Sequence, residues 1–244
     1  MPLVGVVESA CGELAQSVER EAARVVPAWQ RATLSELRWP VGVVISGMIS
    51  LQLLLPARLT LTGRWLLPAI ELALEAVLVI SDPRRFTRRS PGMRLLGMLL
   101  IGTASLANGW SAARLVIGIV QGSEGNNAAA LLVAAGNIWL TNVIIFGLWY
   151  WELDRGGPAA RAMALHPRPD FLFPEMTAPE LAGPDWHPLF VDYLYVAFTN
   201  ATAFSPTDTL PFSRWSKLAM MLQSTISLAT GVLVIARAVN ILPS

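Results

Sequence analysis

A single cysteine, Cys11, and two histidines, His166 and His187, are all that this chain of 244 residues offers in soft metal ligands. One thiol excludes a disulfide framework within the chain and a cysteine-based metal site. The histidines lie far apart in a polar, proline-rich stretch, so no metal is expected. Charge is also scarce. Asp, Glu, Lys and Arg make up 14% of the residues, where a soluble domain carries about 25%. The formal net charge of +1 leaves no basic footprint for nucleic acid. The chain has no P-loop, dinucleotide fingerprint, His-Glu-x-x-His or Gly-x-Ser-x-Gly. Neither an enzyme nor a cofactor is expected. Met1 to Val7 has no basic residue ahead of its apolar stretch, unlike a secretory signal.

Hydrophobicity fills the space that charge leaves: 54% of the residues are apolar, gathered in long runs. The runs are Trp39 to Leu55, Trp65 to Ile80, Met93 to Val120, Ala128 to Trp151 and Trp215 to Leu242. About 20 residues of helix cross a bilayer, so the first two are short spans and the third is long enough to tilt. Trp149-Tyr150-Trp151 is an interfacial anchor. A further run, Leu189 to Thr202, is too short to cross. The predicted fold is an all-α polytopic membrane bundle with five spans and one re-entrant helix. Its partner is the lipid bilayer.

Three regions follow. Residues 1–38 read as an amphipathic segment interrupted near Pro27, with Leu14, Val18, Ala22 and Val25 at helical spacing. Residues 39–127 form a three-span bundle. Residues 128–244 divide into an outer helix (128–151), a polar loop (152–187), a short helix (189–202), a turn (203–211) and an inner helix (215–242). In Glu152-Leu-Asp-Arg-Gly-Gly-Pro158, the glycines read as a helix stop and the proline as the residue beyond it. Glu152 and Asp154 are two apart, so on a helix they point in different directions.

Basic residues orient a membrane protein. Arg20, Arg24, Arg31 and Arg38 precede the first span. Arg84, Arg85, Arg88, Arg89 and Arg94 sit between the second and third. Arg155, Arg161, Arg168, Arg214 and Lys217 lie between the fourth and fifth. The opposite side holds Arg58 and Arg64, fourteen against two. The expectation is a multi-pass protein of the cell inner or plasma membrane. Its N-terminus is cytoplasmic and its C-terminus external.

Four charges fall inside spans: Glu71, Glu75, Arg114 and Arg237. Counted from the span ends at about 1.5 Å per residue, Glu71, Arg114 and Arg237 share a depth of about 8–9 Å. Glu75 is one turn from Glu71 on the same face. Intramembrane charges are costly and pair with one another, so a Glu71/Glu75–Arg114–Arg237 cluster is predicted. Asn108, Asn137, Asn142 and Asn240 are expected to hydrogen-bond between helices.

The segment Asp192-Tyr-Leu-Tyr-Val-Ala-Phe-Thr-Asn-Ala-Thr-Ala-Phe-Ser-Pro-Thr-Asp-Thr-Leu-Pro211 joins a short apolar helix to a hydroxyl-rich turn and a long span. Residues 128 to 242 resemble the two-helix pore module of potassium channels. Thr202 to Asp208 stand where the filter would be, and Pro211 matches the proline that follows it. The stretch Asp192 to Thr209 also resembles uncharacterised bacterial membrane proteins with a comparable Phe-Thr…Thr-Phe…Asp-Thr signature. The resemblance implies pore-facing roles for Thr199, Thr202, Ser205, Pro206, Thr207 and Asp208. It covers less than half of the chain. The filter glycines are missing between Thr199 and Pro211, and Pro206 fixes φ and removes a donor. A potassium-type carbonyl ladder is therefore not expected. Pore loops of that family also enter from outside, whereas the charge count puts this segment on the cytoplasmic side.

Three functions are compatible with these residues. The first is a channel-like cation pore without potassium selectivity, a homo-oligomer and a tetramer if it conducts, with Asp208 as an acidic ring. The alternative use of Asp208 is to cap the helix beginning near Ser213. The second function is a non-conducting scaffold or partner-binding protein. The third is a small transporter using the buried Glu and Arg residues, for which the signature would be a polar cavity reaching Glu75 from one side.

Overall fold

The computed structural model describes residues 26–81, 90–123, 127–203 and 208–241. Eight α-helices order the described chain. They are α1 (Trp39–Leu53), α2 (Leu66–Ser81), α3 (Pro91–Val120), α4 (Ala128–Leu153), α5 (Pro158–Ala162), α6 (Pro174–Thr177), α7 (Phe190–Ala203) and α8 (Arg214–Ile241). Two short strands, β1 (Phe171–Leu172) and β2 (Leu210–Pro211), pair antiparallel.

Three helices are long and apolar enough to cross a membrane: α3, α8, and α4 with its 3-10 extension to Gly156. Helices α1 and α2, with 15 and 16 residues, are shorter. The apolar side chains of α8 explain how a helix this long stays in place. Leu218, Met221, Leu222, Leu228, Val232, Ile235 and Val239 are all exposed on it. A largely apolar face of that kind is stable against lipid tails and costly against water.

The helix ends follow local chemistry. Prolines occupy the first turn of α1, α3, α5 and α6, where no backbone donor is lost. The Asn127 side chain accepts from the Ala130 amide at 3.0 Å and caps α4. Ser213 Oγ accepts from the Ser216 amide at 3.3 Å and caps α8. Capping of α8 thus falls to Ser213, and Asp208 is exposed.

Helix α4 is the hub, packed against α1, α3, α7 and α8. On one side, α1, α2, α3 and α4 pack in sequence as a ring: α1 on α2, α2 on α3, α3 on α4, α4 on α1. On the other, α7 fills the space against α4 and α8. Trp151 stacks edge-on with Phe190 and Trp139 with Phe198, each at 5.8 Å. Helix α7 therefore runs antiparallel to α4 and ends beside its middle. At about 1.5 Å per residue it covers about 18 Å of α4. The chain is back at the starting end by β2, where Pro211 pairs with Phe171.

Close approach of α7 needs Gly147. A Cβ there would lie 3.2 Å from the Leu194 Cα. Gly147→Val is expected to push α7 off α4 and cost about 1–3 kcal/mol, the usual penalty for overpacking. Thermal unfolding in detergent reads this directly, and an unchanged midpoint would contradict the packing.

The residues that carry the expected amphipathic helix, Leu14, Val18, Ala22 and Val25, lie outside the described residues. From the interruption near Pro27 onwards the chain is described. Ala28–Gln30 is a 3-10 turn and the chain beyond it is mostly irregular. Trp29 is buried, and the Thr33 amide donates to the Ala162 carbonyl at 2.9 Å. That bond ties the stretch to α5.

Candidate functional site

The ring of α1–α4 encloses a cavity of about 380 Å³. Its mouth is polar: Arg38 at the start of α1, Ser90 and Arg94 at the start of α3, Glu152 at the end of α4, and His166 from the loop beyond. Its walls are apolar, with Val41, Ile45, Leu78, Leu100, Ile101 and Leu148. Glu75 of α2 also lines it, six residues before the end of its helix and so about 9 Å down. A volume and lining of this kind suit a small ligand with an apolar body and one charged group.

Two carboxylates face the cavity in different states. Glu152 is paired: Arg94 Nε lies 3.6 Å from its Oε1. Glu75 is buried, with Ser46 Oγ donating at 3.3 Å to either oxygen. Long bonds from one hydroxyl leave most of its acceptor capacity unused. Gly42 lies beside it, where a Cβ would stand in ordinary contact, 3.5 Å from Glu75 Oε1. The Gly156-Gly157 turn shapes the mouth. Both glycines have positive φ, 82° and 94°. A Cβ at Gly156 would meet the His166 ring at 3.0 Å, and one at Gly157 the Glu152 carbonyl oxygen at 3.0 Å. The turn therefore ends α4 as its sequence predicts.

The predicted cluster of four charges does not assemble. Glu71 is fully buried and accepts from Gln52 Nε2 at 2.9 Å. Arg114 is exposed on α3, and Arg237 is half-buried on α8 with its Nε lacking a partner. Among the described residues no ion pair joins either glutamate to either arginine. Depth along a helix is fixed by its rise, which residue spacing gives. Azimuth is not so fixed. Glu71 and Glu75 turn towards α1, while Arg114 turns outward. Helix α8 packs on α3, α4 and α7.

The filter-like residues divide similarly. Ser205, Pro206 and Thr207 lie outside the described residues. Thr199 Oγ1 donates to the Tyr195 carbonyl at 2.9 Å, and Thr202 Oγ1 to the Phe198 carbonyl at 2.9 Å. Both hydroxyls are thus bound back onto their own helix. The asparagine expectation holds at Asn142, which donates to Ser227 Oγ of α8 at 3.0 Å.

The densest polar construction in the molecule went unread in the sequence. Asp154 is 0% exposed. It accepts from Tyr193 Oη at 2.6 Å, the Asp170 amide at 2.9 Å and the Phe171 amide at 3.3 Å. Asp170 accepts in turn from the Arg155 amide at 2.9 Å and Trp215 Nε1 at 2.8 Å. Arg155 and Arg161 are buried beside it. Arg155 donates to the carbonyls of His166 and Trp29, and Arg161 to those of Trp151 and Asp154. The signal was faint: an Asp-Arg before two glycines, and an Asp between prolines. Glu36 joins the same end. It accepts from the Phe190 amide at 2.6 Å and Trp151 Nε1 at 2.7 Å. Burial pushes its carboxyl above the usual range, against the pull of those two donors and of Arg161. Among the described residues no group of three His, Cys, Asp or Glu side chains is placed to hold a metal.

Family models, curated proteins and solved structures were each compared with the chain, and none matches.

Proposed function

We propose that this chain is a small multi-pass membrane transporter, and that its α1–α4 cavity binds an amphipathic organic cation in competition with a proton. The observation that carries this reading is the cavity reaching Glu75 from one end. An intramembrane carboxylate is costly as a bare charge. It is neutralised by a proton or by a cation that enters with it. Glu75 has one hydroxyl as its hydrogen-bond partner, and Arg38 of the same cavity acts on its charge, so a proton or a solute cation competes with Arg38 for it. Glu152 is already paired with Arg94, and the apolar walls suit the body of the solute. In this reading α1 and α2 cross as short spans beside α3, α4 and α8, giving five. The arginine-rich mouth faces the cytoplasm, in line with the positive-inside rule.

The test is binding and uptake of tetraphenylphosphonium by the purified chain in liposomes with an imposed pH difference. Glu75→Gln is expected to weaken binding about tenfold, equivalent to about 1.4 kcal/mol. It should also abolish the dependence of uptake on the pH gradient. Equal binding by wild type and Glu75→Gln would remove the reading.

A channel-like module is the second reading. It is favoured by the path of α7, which descends beside α4 to mid-height before the chain returns to β2. That is the outline of a re-entrant helix, and such backbone needs surrounding protein or a water-filled space. The back-bonded hydroxyls of Thr199 and Thr202 weigh against ion coordination there. A flux assay under ion gradients, with Asp208→Asn beside wild type, separates the two. Cation flux lowered by that change supports a pore.

A further inference from the structure

We infer that Glu71 is the onward proton station of the α1–α4 bundle, taking the proton that Glu75 gives up and passing it towards the opposite end. The inference rests on the transport reading of Glu75 and adds the second half of the proton's path. The two carboxylates lie between two openings. The cavity that Glu75 lines has its mouth at the starts of α1 and α3 and the ends of α2 and α4. A crevice of about 20 Å³ lies at the other end, lined by Thr60, Gly63 and Arg64 of the α1–α2 connection and by Gln52 and Asn108. It is large enough for one water, which needs about 10–15 Å³.

Glu71 lines neither space and is 0% exposed. Gln52 Nε2 donates to its Oε2 at 2.9 Å. Its Oε1 is buried without a partner, and so is Asn108 Oδ1. Both atoms are acceptors, so neither answers the other as an ionised pair of groups. A proton on Glu71 Oε1 removes the intramembrane charge and supplies the donor that both places lack. Asn108 lines the crevice together with Gln52 and with Pro68, which is one turn from Glu71. The acid proton therefore has Asn108 Oδ1 as its acceptor, and Glu71 is a proton site closed off from both openings.

Glu75 is its neighbour for exchange. Residues four apart on a helix sit about 5–6 Å from each other at Cβ, and α1 meets both, with Ser46 on Glu75 and Gln52 on Glu71. The transfer balances. Glu71 gives its proton to a water of the crevice, and the carboxylate so formed takes the proton of the Glu75 carboxyl. One O–H bond breaks and one forms at each step. The negative charge ends on Glu75, where the solute cation meets it. The other charges stand at the two ends. Arg38 acts on Glu75 from the mouth, where Arg94, Glu152 and His166 also lie. Arg64 lines the crevice, with its Nε donating to the Leu53 carbonyl at 2.7 Å, and Arg114 of α3 is exposed.

The test uses the full chain in liposomes with tetraphenylphosphonium as solute. Glu71→Gln keeps the shape and a donor for Asn108. It should bind the solute like wild type, with the same competition by protons, yet lower uptake driven by a pH difference about tenfold, a loss of about 1.4 kcal/mol. Infrared spectroscopy gives a second readout that needs no transport. A protonated-carboxyl stretch should be present in wild type and in Glu75→Gln and absent from Glu71→Gln. Asn108→Ala removes the acceptor and should move that band to higher frequency. Undiminished uptake by Glu71→Gln overturns the inference, as does a missing Glu71 band or one that Asn108→Ala leaves in place. Failure of the transport reading itself shows elsewhere, as unchanged solute binding by Glu75→Gln, and takes the relay with it.

Discussion

Asp154→Ala is expected to destabilise the protein by about 3–5 kcal/mol, the cost of removing one member of a buried charged network. The side chain is fully buried and holds three donors from two places in the chain. Tyr193 belongs to α7, while the Asp170 and Phe171 amides lie just before and at the start of β1. The substitution therefore leaves a phenol and two amides unpaired at once, each costing about 1–3 kcal/mol. It also removes a negative charge that acts electrostatically on both Arg155 and Arg161. Asp154→Asn keeps the shape and one acceptor, so it should fall between wild type and alanine. The measurement is unfolding in detergent, followed by tryptophan fluorescence. Trp215 donates to Asp170 and should report the loss of the knot. A cost below about 1 kcal/mol would mean that water enters and replaces these bonds.

Gln223→Leu carries the second large effect, expected at about 2–3 kcal/mol. Gln223 is a fully buried side chain in the first half of α8 and hydrogen-bonds to both α4 and α7. Its Oε1 accepts from Tyr150 Oη at 2.7 Å and Asn200 Nδ2 at 2.8 Å, and its Nε2 donates to the Ala197 carbonyl at 2.8 Å. Leucine fits the volume and matches none of these groups. Hydrogen bonds between helices in lipid average about 0.6 kcal/mol and reach about 1.7. Three together, with Tyr150 left without its acceptor, reach the stated range. A double-mutant cycle gives the sharper reading. Tyr150→Phe removes the orphan hydroxyl, so the Tyr150→Phe/Gln223→Leu pair should cost clearly less than the two single changes added. Additive costs would show that the residues do not act together. Helix α7 is held by this side chain and by Gly147, so both changes should also speed proteolysis of α7.

Much of the fold was legible in the sequence because it rests on one-dimensional quantities. Long apolar runs set α3, α4 and α8, and their ends lie within a few residues of the hydropathy boundaries. Gly156, Gly157 and Pro158 mark a helix stop in sequence, and the structure places positive φ at both glycines. Asn142 reads as an interhelical donor and is one. The site was legible only in part. Glu75 reads as a buried charge and is buried. Its surroundings differ from the expectation, since Ser46 and the cavity stand where Arg114 and Arg237 are expected.

Composition and periodicity alone determined that this chain forms three apolar helices long enough to span a membrane, where its charges gather, and which acids and arginines lie inside its apolar helices. Those properties depend on spacing along one helix, which the residue order contains in full. Tertiary structure alone decided which way each buried side chain turns, and so which groups meet. Helix rise sets depth, but rotation about the axis is chosen by packing against several neighbours at once. That choice turned Glu75 into a cavity and Arg114 outward. It also gathered Asp154, Asp170 and Tyr193, residues distant in sequence and silent as a motif, into one buried knot.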